Sequence, residues 1–546
     1  MSLRRWASFL GCVLMLIGSA QLPAASAHPA APHPEIDVLH YTFRLGLSDA
    51  SNRITGEATV RVRFRADTLS TFRLDLIGPG NGTSGMDVTA VTYDGSAVEY
   101  AQADNHVRIQ LPEPPATDEE RAYTIRYAGT PADGLIISTN KYGDRTFFGD
   151  NWPNRARHWL PTVDHPSDKA TVEWIVTAPE RYRVIGNGTL VGTAAVNGGD
   201  RRTHWRTTEP LPTKVMVIGV ADFAVEDVGT YDGTPIQSWV YPEDRARGFE
   251  ELAQAERILQ FFEQQLGDYP YAKLANVQST TRYGGMENAS AIFYSETAVG
   301  DTDNDEPLLA HEIAHQWYGN SVTETDWPHL WLSEGFATYL TQLYLEATYG
   351  AERLREGMSR ARERVVQFAE ANPEEPLVDT TYADPNELLN TNPYQKGAWV
   401  LHMLRHHIGD DAFWQGLRDY YQRYDDQNAS TSDFRAVMEN ASGADLQTFF
   451  DQWTRRAGQP AIDGTWRYDA EAGQLTVEIR QAQDGAPYAL PLEIGIYSGD
   501  GDPQIETLEV DQREHTFTFD LAEAPSAVEL DPHVWTLMTS DFEQAY

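Results

Sequence analysis

Two histidines with an acid between them form the stretch of this sequence best suited to chemistry. His311 and His315 are four residues apart, so on a helix their imidazoles lie one turn apart on the same face and can converge on one metal ion. Glu334 follows nineteen positions later and can return a carboxylate from a second helix. Two histidines and one glutamate are a ligand set of catalytic zinc, which leaves a fourth position for water. Glu312 lies between the histidines, where it can act as general base.

The alternative interpretation is a surface helix that carries two unrelated histidines. The chain has 15 His and 81 Asp or Glu in 546 residues. The pattern His-acid-x-x-His is then expected by chance about 0.06 times in such a chain. A later acid at one fixed position makes the coincidence rarer still, so the sequence favours a metal site.

The first residues are typical of an export signal rather than of a fold. Arg4 and Arg5 precede a nearly continuous apolar run, and Ala25-Ser26-Ala27 has small residues at the positions that signal peptidases require. We therefore predict a signal peptide over residues 1–27 and a secreted or periplasmic protein. A membrane anchor is the alternative, but the run is short for a span of about 20 residues. No stable membrane span is expected after signal removal.

Composition excludes several classes of function. Cys12 is the only cysteine and lies within the predicted signal, which excludes disulfides, a Cys-ligated metal and a Cys nucleophile from the mature chain. The formal net charge is −39, and no basic footprint for a nucleic acid partner is present. This charge has three possible interpretations. It can reflect an acidic surface suited to high salt, a cleft that attracts cationic substrates, or a merely acidic secreted protein.

Hydrophobic periodicity divides the chain into three parts. Strand-like alternation, as in Ala58–Phe64, dominates from Glu35 to about Asp227. Helical spacing begins near Gly248, and Gly458-Gln459-Pro460 ends the helical pattern, after which strands return. These changes predict a multidomain α+β protein with an all-β N-terminal domain over 28–230, a mainly helical catalytic domain over 231–459 and a C-terminal β-sandwich domain over 460–546.

Within the helical part, the pattern predicts particular elements. A short strand is expected at Leu274–Ser279. The expected helices include the one that bears His311 and His315 and those at Phe336–Tyr349, Ala351–Glu370, Tyr394–His407, Asp411–Tyr424, Asp433–Asn440 and Asp445–Trp453.

Three motifs together resemble the M1 family of zinc aminopeptidases, the gluzincins. The zinc motif runs from His311 to Asn320 and continues in Trp331–Ala337, with the family's gap of 18 residues before the third ligand. Gly284-Gly285-Met286-Glu287-Asn288 resembles the family's Gly-x-Met-Glu-Asn motif, and Asn392–Ala398 matches its Tyr-x-Lys-Gly segment. The likeness covers nearly the whole mature chain and implies a thermolysin-like catalytic domain.

The resemblance implies a role for each residue. His311, His315 and Glu334 would hold one Zn²⁺ per chain, with Glu312 as general base. Glu287 would bind the free α-ammonium of the substrate. Tyr394 would donate its phenol to the developing oxyanion. The rest of the Gly-x-Met-Glu-Asn segment would lie along the extended substrate. These residues are Gly284, Gly285, Met286 and Asn288.

The sequence departs from the family pattern in two places. In many members a Gln or Glu of the N-terminal domain also binds the α-amine. A rough alignment brings Asp150 to that position here. Larger members carry a C-terminal helical domain that closes the cleft. The chain resembles a short form without that domain, which implies a more open site.

We therefore expect a secreted zinc aminopeptidase that releases N-terminal residues from peptides with a free N-terminus. A thermolysin-like zinc endopeptidase is the main alternative, because it shares the zinc chemistry but needs no amine anchor. A non-enzymatic binding protein on the same fold is a further alternative. The presence of His311, His315, Glu334, Glu312 and Tyr394 argues against it.

Overall fold

The computed structural model describes residues 33–545 apart from residues 81, 83, 300–305 and 500. The predicted signal peptide lies outside the described residues. Strands come first along the chain, followed by a mainly helical region and then by strands again, in the order that the periodicity predicts.

The N-terminal region is built on a nine-stranded sheet in which the long central strands alternate buried side chains with more exposed ones. Its order is β13-β14-β11-β1-β2-β8-β4-β5, with β15 paired to β11. Buried rings hold its centre, where Phe43 stacks on Trp174 with ring centroids 5.1 Å apart. Smaller sheets β12-β16-β10-β9 and β3-β7-β6 complete the region. The strands are β1 Ile36–Gly46, β2 Ile54–Phe64, β3 Thr71–Asp75, β4 Gly85–Tyr93, β5 Ser96–Ala97, β6 Tyr100–Ala103, β7 His106–Gln110, β8 Glu120–Thr130, β9 Leu135–Thr139, β10 Arg145–Gly149, β11 Lys169–Pro179, β12 Arg183–Gly186, β13 Thr189–Val196, β14 Asp200–Arg206, β15 Leu211–Pro212 and β16 Ile218–Ala221.

The middle region opens with a five-stranded sheet of order β17-β18-β19-β21-β20. All but the last residue of strand β17 lies within the predicted range of the N-terminal domain, yet the strand pairs with β18 of this sheet. The predicted boundary at residue 230, like the other domain bounds, stays a prediction. The strands are β17 Ala224–Tyr231, β18 Thr234–Val240, β19 Leu274–Ser279, β20 Gly285–Met286, β21 Ala291–Ser295, β22 Thr323–Glu324 and β23 Asn428–Ala429.

Nine α-helices make up most of the rest of the middle region in the described part of the chain. Their ends follow local signals: Ser430 and Asp433 form a capping box at the start of one helix, and left-handed Gly443 ends it. The helices are α1 Arg245–Leu252, α2 Ala255–Leu266, α3 Glu306–Ala314, α4 Trp331–Tyr349, α5 Ala351–Ala371, α6 Gly397–Ile408, α7 Asp410–Tyr424, α8 Thr431–Ser442 and α9 Gln447–Thr454.

Each predicted helix is present, with shifted ends. The predicted helix at Phe336 begins five residues earlier, at Trp331, so Glu334 lies in its first turn. The predicted helix at Tyr394 consists of a π-helical turn over Asn392–Lys396 followed by α6. No helix within the described residues is long and apolar enough to cross a membrane.

From Ala461 onward the chain forms two sheets. The order of the larger is β28-β25-β24-β30, and that of the smaller is β27-β26-β29. Buried Val477, Ile494 and Leu508 show that both sheets contribute one face to a core. The strands are β24 Ala461–Asp469, β25 Gln474–Gln481, β26 Leu490–Tyr497, β27 Gln504–Val510, β28 Glu514–Asp520, β29 Ala527–Leu530 and β30 Thr539–Gln544.

Half-buried Lys169 and buried Lys214 join the N-terminal region to the middle region. Lys169 donates to the backbone carbonyls of Asn320 at 3.1 Å and Ser321 at 2.6 Å. Lys214 pairs with Glu324 at 2.5 Å, and both side chains are almost fully buried. Since a buried ammonium is costly unless it is paired, these bonds hold the segment after His315 against the N-terminal region.

Candidate active site

Helices α3 and α4 bring three predicted metal ligands together. The Nε2 atoms of His311 and His315 are 3.1 Å apart. The Oε2 atom of Glu334 lies 3.4 Å from the first of these nitrogens and 3.3 Å from the second. His315 follows the last residue of α3, yet its amide still donates to the His311 carbonyl at 3.3 Å, so the two rings keep the one-turn spacing that the sequence predicts.

These three atoms fit a tetrahedral zinc ion. Ligand atoms at about 2.1 Å from such an ion lie about 3.4 Å from each other, which matches the three observed separations. Glu334 Oε2 is buried and has no hydrogen-bond partner, so a cation would satisfy it. Within the described part of the chain, this is the single cluster of three or more His, Cys, Asp or Glu side chains with metal-ligand spacing.

A further contact orients one of the ligands. His315 Nδ1 lies 3.2 Å from the carbonyl oxygen of Tyr318 and 3.2 Å from the hydroxyl of Ser333. A proton on Nδ1 would be donated to that carbonyl, which leaves the lone pair of Nε2 facing the proposed ion.

Glu312 points toward the Gly284-Gly285 segment. A Cβ atom at Gly285 would lie only 2.2 Å from Glu312 Oε1, so the second glycine of the motif is required for this close approach. Glu312 is 4% exposed, and this burial raises its pKa well above the usual range. A carboxylate in that condition readily accepts a proton.

Glu287 lies at the end of β20 with its backbone held firmly. Its carbonyl oxygen accepts hydrogen bonds from Gln316 Nε2 at 2.9 Å and from Asn320 Nδ2 at 2.6 Å. The side chain is 4% exposed, and Oε1 has no hydrogen-bond partner. Burial raises the pKa of this carboxyl and outweighs the opposing effect of nearby positive charges. A cationic ligand would supply the missing partner.

Tyr394 reaches the cleft from the π-helical turn. Its ring stacks on His311, with centroids 6.2 Å apart and an interplanar angle of 17°. Burial, followed by the charges of Glu334 and Glu287, raises the pKa of the phenol well above its ordinary value, so it stays protonated as a donor.

A glycine pair explains why Tyr394 comes so near the ligands. A Cβ atom at Gly335 would lie 2.8 Å from the Cα atom of Gly397. The two backbones therefore touch directly where α4 passes the start of α6, and a larger side chain on either would push them apart. One glycine adjoins Glu334 and the other follows the π-helical turn.

These residues line one cleft, a cavity of about 230 Å³. It includes Gly284, Gly285, Met286, Glu287, His311, Glu312, His315, Glu334 and Tyr394, which the sequence predicts. It also includes Trp152, Tyr283, Leu308 and Leu389, which sequence reasoning missed. Apolar side chains at such positions have no spacing pattern that would distinguish them from core residues.

Two predicted substrate residues lie outside that lining. Asp150 is fully buried, and its carboxylate pairs with Arg155 rather than pointing into the cleft. Trp152, two residues further on, takes the place on the wall and packs edge-on against Trp327. Asn288 is buried beside the cleft, and neither polar atom of its side chain has a partner. Their predicted roles stay predictions.

Comparison with known proteins identifies the same two regions. Residues 38–215 match the peptidase M1 N-terminal domain, and residues 250–453 match the peptidase family M1 domain. Aminopeptidase M1-A of Oryza sativa subsp. japonica is 30% identical over 328 residues, which are 57% of this chain and 37% of that protein. Human glutamyl aminopeptidase is 28% identical over 58% of this chain and 34% of its own. The match thus spans little more than a third of these relatives.

Solved structures share the fold. A crystal structure of an M1 zinc metallopeptidase variant from Deinococcus radiodurans has a TM-score of 0.68 and 26% identity, and the match covers 80% of this chain and 98% of that one. Legionella pneumophila aminopeptidase A, in complex with aspartic acid, has a TM-score of 0.79 at 18% identity over 94% of this chain and 60% of its own.

Proposed function

Starting from the premise that the chain belongs to peptidase family M1, we propose that it is a zinc aminopeptidase that removes the first residue of peptides. One observation carries the proposal. Glu287 is a buried acid whose Oε1 has no hydrogen-bond partner, and it lines the same cleft as the three-ligand cluster. A peptide whose α-ammonium binds Glu287 presents its first peptide bond to that cluster, so the enzyme would cleave that bond and release the N-terminal residue.

The chain's own residues divide the work. Bound zinc would supply Lewis-acid polarisation of the scissile carbonyl and acidify the attacking water. Glu312 takes the proton of that water and delivers it to the leaving amine. Tyr394 donates its phenolic hydrogen to the oxygen on which negative charge develops. His311, His315 and Glu334 hold one ion per chain.

A panel of aminoacyl arylamides tests the activity. Turnover should disappear when the metal is chelated and return when zinc is added. The recovered turnover should be proportional to the amount of bound zinc, which elemental analysis measures. Full hydrolysis by metal-free enzyme would refute the proposal. The panel also identifies the preferred first residue, which depends on walls such as Trp152 and Leu389.

The alternative is a thermolysin-like zinc endopeptidase, because the ligands and the base are common to both activities. N-terminally acetylated peptides separate the two. They lack the ammonium that would bind Glu287, so an aminopeptidase leaves them intact. If acetylated and free peptides are cut equally fast, the endopeptidase assignment holds.

We further propose export and a C-terminal β-sandwich domain. Signal cleavage after Ala27 would leave His28 as the first residue of the exported protein, which N-terminal sequencing tests. The two sheets that follow Ala461 support the sandwich, since both bury one face.

A further inference from the structure

Strand β13, Thr189–Val196, is an exposed sheet edge. Within the described residues it pairs with β14 and stands at the end of the nine-stranded sheet. Its eight residues include no charge and no proline, two of the features that protect natural edge strands, although its register with β14 shifts between Leu190 and Gly192. Leu190 is 46% and Val191 50% exposed. Two of the four large hydrophobic residues that are exposed in the described chain are therefore neighbours on this edge.

A groove runs beside the strand, between the N-terminal and middle regions. Its cavity volume is about 360 Å³. Tyr182, Trp205 and Trp239 line it, and Lys273 lies below, with its ammonium 4.6 Å from the centroid of the Trp205 ring. Leu190 of the strand forms part of the wall, so the groove and the free edge are one continuous surface.

This surface is cationic in a strongly anionic molecule. Neither Asp nor Glu lines the groove, whereas Arg183 and Arg201 do. Residues 180–206 contain five arginines and two acids, Glu180 and Asp200, in a chain whose net charge is −39, and Glu180 pairs with Arg201 at 3.2 Å. On strand β14, exposed Arg202 lies opposite Ala194 of the edge strand. The charge therefore complements an acidic partner and repels a basic one.

We propose that this surface, the β13 groove, binds an extended acidic segment of another polypeptide, which adds a strand to the free edge of β13. Backbone bonds to the edge would give affinity, while alternate side chains would enter the groove and meet the arginines. A second copy of this chain is a poorer occupant. Pairing two β13 strands would bring two arginine-rich hairpins together, and like charges across an interface oppose association.

The probe is a ten-residue peptide of alternating Val and Glu, acetylated at its N-terminus and labelled with fluorescein at its C-terminus. Acetylation removes the ammonium, so the peptide does not engage Glu287. Fluorescence anisotropy with the full chain should show saturable binding. The same peptide with Lys in place of Glu, or with N-methyl groups on alternate backbone nitrogens, should bind at least about tenfold more weakly.

Charge reversal locates the site. The double variant Arg183→Glu/Arg201→Glu should lower the affinity for the acidic peptide about tenfold or more. Val191→Glu should also lower it, because it places a negative charge on the edge strand. Arg53→Glu/Arg364→Glu changes the charge equally at two exposed positions elsewhere and should alter affinity less than about twofold. Arylamide turnover should be unchanged in every variant, which shows that the cleft and the fold are intact.

Three results would overturn the proposal. Equal binding of the Glu and Lys peptides would remove the charge argument. An Arg183→Glu/Arg201→Glu variant that binds like the original chain would place the peptide elsewhere. A dimer by light scattering that Val191→Glu converts to a monomer would show that a second copy occupies the edge. Because none of these results depends on aminopeptidase turnover, the proposal can fail while the proposed function stands.

Discussion

Replacing Glu287 with Gln tests the amine anchor most directly. The substitution keeps the shape of the side chain and removes its charge. This carboxyl is buried and its Oε1 has no hydrogen-bond partner within the protein, so a substrate ammonium would supply that partner. A hydrogen bond to a charged group is worth about 1.5–3 kcal/mol, which corresponds to a loss of about 10- to 150-fold in kcat/KM. The negatively charged side chains of Glu312 and Glu334 remain near the substrate ammonium, so the variant should keep measurable activity.

The assay compares three quantities in Glu287→Gln and the original chain. Turnover of a free aminoacyl arylamide should fall by the factor above. Zinc content should be unchanged, because Glu287 is not one of the three clustered ligands. The melting temperature should not fall, since burial raises the pKa of Glu287 and the neutral amide avoids that desolvation cost.

A matched control replaces an exposed acid, Glu374→Gln, which should change none of the three quantities. The anchor role would be refuted by unchanged kcat/KM in Glu287→Gln. It would be refuted equally by a loss of zinc that matches the loss of activity, because the side chain would then support the metal site rather than the substrate.

Three further outcomes are expected. Glu312→Gln should lower kcat by about 10²- to 10⁴-fold with zinc retained in elemental analysis, and loss of the metal in this variant would contradict its role as base. Tyr394→Phe should lower kcat by about 10²- to 10³-fold with a smaller change in KM, and a change confined to KM would point to substrate packing instead. The melting temperature of the chain should rise between low and molar salt, because screening shortens the repulsion within a net charge of −39; a flat salt response would remove the high-salt interpretation.

Much of the architecture follows from local patterns. The alternation in β1 and the helical spacing in α5 are properties of consecutive residues, so their periods are readable without a structure. Element ends are less readable. Glu334 lies in the first turn of α4 and not before a helix, since tertiary packing around Trp331 extends the helix backward.

Pairing between distant segments is a second limit on prediction from sequence. Strand β17 looks like part of the N-terminal strand-rich region, but it pairs with β18 and thereby joins the sheet that also contains β19. Nothing in its own alternation distinguishes one sheet from the other, because the choice depends on contacts across the fold.

By itself, the sequence determined the metal-ligand spacing and the candidate chemistry. His311 and His315 are one helical turn apart whatever surrounds them, and the motif segments name Glu287 and Tyr394 as partners. Only the tertiary structure decided how these groups meet. The contact between Gly335 and Gly397 brings Tyr394 to the cleft, Asn320 holds the Glu287 backbone, and Arg155 takes the carboxylate of Asp150. Each of these depends on segments far apart in the chain, whose mutual approach is set by packing and by burial of charge rather than by any local period.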